Sequence, residues 1–330
     1  MKNFWRWEMV KIISIFTIIG IFFFGFDSKI YSQVYPEHQI NLVIPMAPGD
    51  GVDIAGRLMA EEISKLLKVP IVVLNKPGAG GGVGTDFVAK AKNDGYTLLL
   101  APSAPIIYNR ILNPSQVPYD SFKDLTPIAL TTHTPILIAI RSDAPYKDFK
   151  EIVEFAKNNP GKIRCGTMGV GSVGDFDTEM IKAIAKINIT SVPFKGASPA
   201  ITALLGGHVE AVAVALGPLI SHIRAGKIKG ILISTSFSEF PEIPTLKQLG
   251  YPQNLLGVWF AFFGPAGLPE NVKNTLVPVI EKVVKDPSIV SKLSKTGMIQ
   301  EFEGPEKLLL RMQEEFRMAE EIAKASGLKK

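Results

Sequence analysis

The sequence predicts an α/β protein in which mostly parallel sheets are flanked by helices. Strand-like and helix-like runs alternate from Ile40 to about Ile299, and glycine-rich loops recur between them in both halves. This alternation favours parallel strands covered on both faces by helices. The chain has 330 residues, 46% of them hydrophobic and 20% charged, which is enough apolar material for a sizeable core. Its length allows one large domain or two lobes.

In the first half, three short apolar runs predict strands and two longer runs predict helices. The predicted strands are Ile40–Pro45, Ile71–Leu74 and Tyr96–Ala101. The predicted helices are Ile54–Leu67 and Thr85–Ala91. The first helix is the clearest of these, because its apolar residues recur at the spacing of a single helical face.

The second half repeats the alternation. Its predicted strands are Pro135–Arg141, Ile163–Gly166, Ser191–Phe194, Val209–Ala215, Gly230–Thr235 and Val258–Gly264. Its predicted helices are Phe149–Asn158, Ala200–Leu205, one beginning near Asp175, and a charged amphipathic helix at Pro305–Ala325. The proline suits the first position of a helix, where the N–H that it lacks would have no partner in any case.

The first 33 residues have the pattern of a secretory signal peptide. A basic start precedes the apolar run Ile12–Phe26, and polar residues follow it. This is the order of a charged region, an apolar region and a cleavage region. The apolar run is about 15 residues long, shorter than the roughly 20 that span a bilayer. An uncleaved anchor is the alternative, and both interpretations place the folded body outside the cytoplasm.

The cysteine content and the charge narrow the class of protein. Cys165 is the only cysteine, so no internal disulfide can form, and its apolar surroundings predict a buried small hydrophobe. The net charge is +5; removing residues 1–33 removes four basic and two acidic residues and leaves about +3. No basic run or aromatic platform accompanies this mild charge, so we expect no nucleic-acid partner.

The loop after the first predicted strand is the first candidate site. It reads Met46-Ala47-Pro48-Gly49-Asp50-Gly51-Val52-Asp53. Asp53 is predicted to be the N-cap of the following helix. The glycines allow backbone N–H groups to turn toward one point, and such groups at a helix N-terminus attract an anion. A tight turn with a capping aspartate explains the same residues, so both interpretations stay open.

The second glycine-rich loop is Lys76-Pro77-Gly78-Ala79-Gly80-Gly81-Gly82-Val83-Gly84-Thr85. It does not match the dinucleotide fingerprint G-x-G-x-x-G, because Val83 or Thr85 stands where the last glycine is required. Its glycines indicate a close approach of the backbone, either to a ligand or to a neighbouring helix.

The third loop, Gly169-Val170-Gly171-Ser172-Val173-Gly174, does match this fingerprint. Lys195, at the end of the next predicted strand, could then contact a 2′-phosphate. An NAD(P)-dependent oxidoreductase is therefore one alternative. The motif lies in the middle of the chain, and nicotinamide cofactors are scarce outside the cytoplasm, so the sequence favours a binding protein.

A fourth loop, Lys195-Gly196-Ala197-Ser198-Pro199-Ala200, opens another helix. Two such loops in each half suggest two lobes that offer helix N-termini to a shared cleft. The four histidines lack metal-ligand spacing, and no nucleophile elbow or Walker lysine occurs. We therefore expect no catalytic residues, no metal, no cofactor and no enzymatic activity.

At these loops the sequence resembles the solute receptors of tripartite tricarboxylate transporters, the Bug receptors. The similarity runs from about Tyr35 to Leu328. The stretches that carry it are Ala47–Gly49, Asn75–Gly81, Asp94–Leu99, Pro193–Gly196 with Pro199–Ala200, Leu204–Glu210, Pro244–Thr245 with Gly250, and Gly264–Pro269. Their order and spacing together are specific, although each stretch alone is not.

The resemblance implies a two-lobed, periplasmic binding protein-like fold of the Venus flytrap type, located in the periplasm. It implies that loops from both lobes hold a small carboxylate ligand, largely through backbone donors. The implied ligand-binding residues are Ala47, Gly49, Asp50, Gly51, Val52, Asp53, Ser103, Ala104, Thr167, Gly171, Ser172, Asp175, Lys195, Gly196, Ala197, Ser198 and Pro199.

The resemblance also implies a partner, a two-subunit membrane permease to which the ligand is delivered. A receptor for a membrane signalling partner is the alternative. We expect a monomer whose first lobe comprises residues 34–134 and 236–256, and whose second lobe comprises residues 135–235 and 257–330. The strand crossings near Thr134–Ile136 and Thr235–Ser236 are the hinge candidates.

Two loops depart from the family's pattern, at three positions. Asp50 and Val52 stand where the first loop usually has glycine and threonine, and Asp175 stands where histidine is common. Two added carboxylates near the cleft would repel a multiply charged anion. The hypothesis that follows is a ligand with fewer negative charges, or one with an amine that meets Asp50.

Overall fold

Eleven strands form two sheets in the part of the chain that the computed structural model describes, residues 35–112 and 114–326. The strands are β1 (Ile40–Ile44), β2 (Ile71–Asn75), β3 (Thr97–Pro102), β4 (Leu125–Thr134), β5 (Ile136–Arg141), β6 (Ile163–Thr167), β7 (Ile189–Pro193), β8 (Ala211–Ala215), β9 (Ile228–Ile233), β10 (Val258–Pro265) and β11 (Ile299–Glu303). The signal peptide predicted at residues 1–33 lies outside the described residues.

The helices alternate with these strands. They are α1 (Gly51–Leu67), α2 (Gly82–Ala89), α3 (Asn109–Leu112), α4 (Phe149–Asn158), α5 (Val173–Ala185), α6 (Ala197–Leu205), α7 (Ile220–Arg224), α8 (Glu270–Val284), α9 (Pro287–Ser294) and α10 (Pro305–Ser326). Short turns of tighter or wider helix occur at Ala79–Gly81, Ala104–Tyr108, Pro114–Gln116 and Gly217–Leu219. Within the described ranges, no helix combines the length and apolar character that crossing a membrane requires.

The first sheet has six strands in the order β11-β4-β10-β3-β1-β2. β1 is parallel to both of its neighbours, β2 and β3. β10 lies between β3 and β4 and is antiparallel to both. Buried residues line both faces of β1 and β3, as expected of strands covered by helices on both sides.

The second sheet has five strands in the order β7-β6-β8-β5-β9. β6 is parallel to β7 and β8, whereas β5 is antiparallel to β8 and β9. Cys165, in β6, is buried as the sequence predicts, and burial raises the pKa of its thiol to about 12. A thiol of that acidity stays protonated and unreactive near neutral pH.

The prediction of mostly parallel sheets is wrong, because both sheets are mixed. Only Pro135 separates β4 from β5, so the chain passes straight from the first sheet into the second. The chain returns to the first sheet at β10, after residues 234–257, which separate β10 from β9. Parallel neighbours need a long crossover connection, usually helical. β5 and β10, at which the chain changes sheets, are antiparallel to both of their neighbours.

The predicted lobe assignment of the two C-terminal segments does not match the packing. Residues 236–256 pack on the second sheet, where Phe237, Phe240 and Ile243 join its apolar core. Residues 257–330 contribute β10 and β11 to the first sheet. Here the first lobe means the six-stranded sheet with its helices. The second lobe means the five-stranded sheet, its helices and residues 236–256.

Helix α10 packs across both lobes. It lies against β4 and the turn Ala104–Tyr108 of the first lobe, and against α5 of the second. Leu308, Met312, Ala319 and Ala323 form its fully buried face, at the spacing that the sequence predicts. The C-terminal helix therefore bridges the two lobes on the side of the molecule where the strands cross.

Candidate functional site

Three loops of the first lobe meet at the carboxyl ends of β1, β2 and β3. A methyl group added at Gly81 would lie 3.0 Å from Pro105 Cγ and 3.1 Å from Met46 Cε, so the three loops touch. The side-chain amide of Asn109 also donates to the carbonyl oxygen of Gly80, at 3.0 Å. This is the edge of an α/β sheet at which ligands bind.

The loop after β1 caps α1, but not with the predicted residue. The helix begins at Gly51, and Asp50 is its N-cap, whose Oδ1 accepts from the N–H of Val52 at 3.1 Å. Asp53 is the third residue of the helix, and its carboxylate accepts from the N–H of Gly49 at 2.8 Å. The prediction that Asp53 is the N-cap is therefore wrong by three residues. The apolar pattern of this helix begins only at Ile54, so the sequence gives no sign of the first turn that precedes it.

Asp53 is buried, and both oxygens of its carboxylate accept hydrogen bonds from the protein. Its carboxylate accepts from Arg57 Nε at 3.0 Å and from Asn75 Nδ2 at 2.8 Å, in addition to Gly49. Burial alone would raise the pKa of this carboxyl. The bonds from Arg57, Gly49 and Asn75 outweigh it and lower the pKa below the ordinary 3.8. Asp53 thus holds the loop in shape and offers a ligand no free oxygen.

We expect Asp53→Ala to lower the free energy of unfolding by about 2–3 kcal/mol at neutral pH, because three donors lose their acceptor. A lowered pKa stabilises the fold above the ordinary value, and this contribution is lost as the pH falls through the lower folded-state value. In urea denaturation, the free energies of unfolding of wild type and variant should therefore converge below about pH 4. The control Asp50→Ala should cost about 1 kcal/mol, the usual loss for a cap; equal losses would contradict this role.

The glycines of the second loop serve packing inside the protein. A methyl group at Gly84 would lie 2.8 Å from both the carbonyl oxygen of Lys76 and Cα of Pro45. Gly78, Gly80 and Gly81 have φ values of +134°, +60° and +93°, which other residues rarely adopt. Of the two interpretations left open for this loop, the structure favours close approach to neighbouring protein elements.

The loop after β6 repeats the arrangement of the first loop. The N–H of Gly171 donates to Asp175 Oδ2 at 2.8 Å, and Ser172 is the N-cap of α5, accepting from the N–H of Asp175 at 3.3 Å. Ser191 donates to the other oxygen of Asp175. Both lobes therefore use a buried aspartate, three residues into the helix, to fix the glycine that precedes the cap.

The last glycine of the fingerprint in this loop has a packing role. A methyl group at Gly174 would lie 2.0 Å from the carbonyl oxygen of Ala213 in β8. The helix therefore approaches the sheet more closely than a side chain allows. In dinucleotide-binding folds the last glycine serves the same purpose, so the match reports helix–strand packing and does not by itself indicate a nucleotide.

The loop after β7 leaves a helix N-terminus without a side-chain cap. Gly196 occupies the N-cap position of α6 with φ +112°, and no side chain accepts from the first turn. Lys195, Ser198 and Pro199 are exposed around this helix start, and Ala197 is half-buried. Nothing lies within 4 Å of a methyl group built at Gly196, so the space beside it is open. The unpaired N–H groups at the start of α6 and the side chain of Lys195 are therefore accessible at the same place on the surface.

Ser103 carries a buried hydroxyl without a partner. It follows β3, none of its surface is exposed, and its Oγ has no hydrogen-bond partner among the described residues. Ala104 begins the next turn and is half-buried. Thr167, the last residue of β6, is buried, and its hydroxyl lies 3.5 Å from the carbonyl oxygen of Gly169. A buried unpaired hydroxyl is costly unless something else bonds to it.

The loops of the two lobes face each other. A methyl group built at Gly171 would overlap Leu112, which ends the segment that begins at Ser103. The rings of Tyr108 and Phe176, one from each lobe, lie 4.9 Å apart. Within the described ranges, no hydrogen bond or ion pair joins the loop 47–53 to the second lobe.

The predicted site residues differ in exposure. Ala47, Gly49 and Asp50 are exposed, and Gly51 is half-buried. Val52, Asp53, Gly171 and Asp175 are buried. Side chains that sequence reasoning missed are Arg57, Asn75 and Ser191, which hold the two aspartates. The i,i+4 spacing of Asp53 and Arg57 was the one available signal.

No group of three or more histidine, cysteine or acidic side chains in the described part of the chain could hold a metal ion.

Two α/β lobes whose strand-end loops meet at helix N-termini are the architecture of a solute-binding receptor.

The chain belongs to the tripartite tricarboxylate transporter family receptors, whose family profile matches residues 55–328. Protein BugT of Bordetella pertussis is 31% identical over 286 residues, which cover 85% of this chain and 87% of BugT. These receptors are not enzymes, so the oxidoreductase alternative is wrong. The family is one of periplasmic solute receptors.

Two solved structures are similar to this chain along almost their whole length. Rpa4515 of R. palustris, solved with adipate, has a TM-score of 0.77 and 26% identity, covering 89% of this chain and 98% of that one. MatC from Rhodopseudomonas palustris, with bound malate, has a TM-score of 0.71 and 29% identity, covering 87% and 99%. The expectation of a two-lobed binding-protein fold is confirmed.

Proposed function

We propose that this protein is an exported receptor that binds a small carboxylate between its lobes and delivers it to a two-subunit membrane permease. The observation that carries the proposal is the uncapped N-terminus of α6 beside Lys195. The first N–H groups of a helix have no partner inside the helix, and the helix dipole makes them attractive to an anion. An adjacent lysine adds a full positive charge.

Preorganised loops on both lobes support the same function. Asp53 and Asp175 fix the loops that precede α1 and α5, so the backbone groups there need no rearrangement when a ligand arrives. Preorganisation of this kind reduces the entropy that binding costs. Rpa4515 and MatC, solved with adipate and malate, support a small organic acid as the ligand class.

Asp50 sets an expectation for the charge of the ligand. Asp50 is exposed, and no cationic side chain in the described part of the chain forms an ion pair with it. Although the residue as a whole is exposed, the protein atoms around its carboxyl raise the pKa of that group; the Val52 N–H opposes this, and the nearby charge of Asp53 adds to it. A cationic group on the ligand would offset this crowded negative charge. Asp175, in contrast, is satisfied within its own lobe and places no condition on the ligand.

Thermal and urea unfolding with a ligand panel tests the function. The panel contains succinate, malate, citrate, benzoate, aspartate and NADPH. A true ligand at about 100 times its Kd should add roughly 2.7 kcal/mol to the free energy of unfolding. Malate carries a hydroxyl where aspartate carries an amine. The ratio of their dissociation constants therefore reports the contribution of Asp50 to binding. A shift with NADPH and none with any organic acid would contradict the proposal.

A charge-removing variant tests the site. Lys195→Met should weaken the binding of the acid that gives the largest shift by about tenfold or more, or at least about 1.4 kcal/mol. Lys229→Met, at an exposed position in β9, is the matched control and should bind like wild type. Equal affinity of the two variants, measured by isothermal titration calorimetry, would remove Lys195 and the start of α6 from the site.

Export and delivery have their own support. The N-terminal sequence pattern and the periplasmic family both favour a cleaved signal peptide. Mass spectrometry of the protein recovered from periplasmic extracts should show loss of about the first 33 residues. Uptake of the labelled acid by cells that lack the gene tests delivery to the permease.

A further inference from the structure

Four strands form the edges of the two sheets in the described part of the chain, and β2 differs from the other three. β11 carries two glutamates, β9 carries Lys229 and a register shift against β5, and β7 ends in Pro193. Charges, bulges and prolines are the usual means by which a sheet edge avoids pairing with a further strand. β2 has the sequence Ile-Val-Val-Leu-Asn, with no charge and no proline. It is therefore the edge most open to an added strand.

Half of the backbone groups of β2 point away from the sheet. Pro70 and Lys76 flank the strand, and both bond to β1 at 2.9 Å, through a carbonyl oxygen and an N–H respectively. Alternate residues of a parallel strand bond to the same neighbour, so the even-numbered residues of β2 also face β1. The outward N–H and C=O groups belong to Ile71, Val73 and Asn75. No strand of the described ranges lies on that side of β2.

Exposed apolar side chains gather around this edge. Leu66 lies near the end of α1, which packs on β2, and Val72 lies near the start of β2. Val83 and Phe87 are one turn apart on α2, and Lys76 Nζ lies 4.1 Å from the centre of the Phe87 ring. These four are among the nine large apolar side chains that are exposed in the described residues. Such a concentration beside an unpaired strand marks an interaction surface.

A lysine stands at each end of β2, and these two charges describe the partner. Neither Lys68 nor Lys76 forms an ion pair within the part of the chain that the structure describes. The acidic side chains in the second half of α1 and on α2 are paired with lysines of their own helices, Lys65 and Lys90. An added strand with an acidic residue at each end would complement this edge. A second copy of this chain would not, because pairing two β2 edges in either direction brings lysines of both copies together.

We propose that the β2 edge is a docking site on which the membrane permease adds an extended segment, apolar in its middle and acidic at both ends. The docking site presupposes the proposed delivery of the ligand to a permease. Main-chain hydrogen bonds give affinity in strand addition, and the side chains give specificity. The edge also adjoins the ligand loops: the Asn75 side chain donates to the carbonyl oxygen of Met46 and to Asp53. A segment bound to β2 would therefore lie beside the loop that precedes α1.

A synthetic peptide tests this surface without any organic acid or permease. The probe is blocked at both termini and has the sequence Glu-Val-Thr-Val-Thr-Val-Glu; its comparison peptide has lysine in place of both glutamates. At low salt, wild type should bind the acidic peptide at least about tenfold more tightly than the basic one. In nuclear magnetic resonance, the amide protons of Ile71, Val73 and Asn75 should exchange with solvent more slowly when the acidic peptide is bound.

Val73→Pro tests the edge in the receptor itself. It removes the central outward N–H and leaves the bonds to β1 intact, and proline is tolerated on edge strands where the missing N–H faces solvent. This variant should lose peptide binding but keep the acid affinity of wild type in calorimetry. Cells that carry it in place of wild type should take up the labelled acid about tenfold more slowly or worse.

Val72→Glu is the second variant and decides the matter if Val73→Pro does not fold. Its exposed carboxylate would repel the acidic ends of the segment, so it should give the same losses. Leu249→Glu is the matched control, because Leu249 is also an exposed apolar side chain but lies in the second lobe. The control should bind the peptide and support uptake like wild type.

Three results would overturn the docking site. These are equal or undetectable binding of the two peptides, wild-type uptake by both edge variants, and a dimer of wild type that Val73→Pro abolishes. The last would place a second copy of this chain on the edge. Acid binding by wild type in calorimetry reports the receptor function separately, so that function can stand when the docking site fails.

Discussion

Replacing Gly174 with alanine should destabilise the protein by about 3 kcal/mol, which is at the upper end of the usual cost of overpacking. The added methyl group would lie 2.0 Å from the carbonyl oxygen and 2.9 Å from the carbonyl carbon of Ala213, so α5 must move away from β8. That movement also shifts Ser172, the cap of α5, and should weaken ligand binding. Urea denaturation and calorimetry measure the two effects.

Gly82→Ala is the matched control. Gly82 also lies in the first turn of a helix, but its φ is −61° and the nearest atom to an added methyl group is 3.6 Å away. Alanine is favoured over glycine in a helix by up to about 1 kcal/mol, so this variant should be neutral or more stable. A Gly174→Ala protein as stable as wild type would show that α5 does not pack tightly on the sheet.

Replacing Glu315 with alanine should also cost about 3 kcal/mol or more. The change leaves the hydroxyl of Tyr108 and the indole N–H of Trp259 buried without an acceptor, and it opens a cavity beneath α10. Each loss of this kind costs about 1–3 kcal/mol. The midpoint of urea denaturation should fall accordingly, and the near-ultraviolet dichroism of Trp259 should change.

Glu314→Ala provides the comparison, since Glu314 is the preceding residue of the same helix and is exposed. Surface changes of this type stay within about 0.5 kcal/mol. If both variants lost the same stability, the effect would reflect helix propensity or net charge, and the buried bonds of Glu315 would be unimportant.

The local elements of the fold were largely predictable. The helix Phe149–Asn158 was predicted with its observed bounds, and the strand at Val258 differs by one residue at its end. These segments have strong apolar periodicity or compact apolar runs, so local physics decides their structure. β4 and β11 were not predicted, because their polar residues, such as Thr131, Thr132 and Gln300, interrupt the pattern.

The assembly of these elements was less predictable. Alternation of strands and helices indicates parallel sheets, yet it carries no information on which strands cross from one lobe to the other. β10 reads as a late apolar strand, and only long-range pairing places it between β3 and β4. The same limit explains why the segments 236–256 and 257–330 were assigned to the wrong sheets.

The candidate site was predicted at the level of loops but not of side chains. Sequence reasoning found the capped loops in both halves, yet it placed the carboxylates of Asp53 and Asp175 toward a ligand. Their partners, Asn75 and Ser191, lie 22 and 16 residues further along the chain. Spacing along the sequence does not reveal such partners, because they come from the neighbouring strands.

The central position of β10 has a consequence for how the protein is made. β3 and β4 are synthesised early, but the strand that joins them follows more than a hundred residues later, after the whole second lobe. Until then the first sheet consists of two unconnected parts with exposed edges, and bringing distant segments together is slow. The second lobe, which is continuous in sequence, can fold on its own contacts. The lobe that the chain begins first is therefore the one that it completes last.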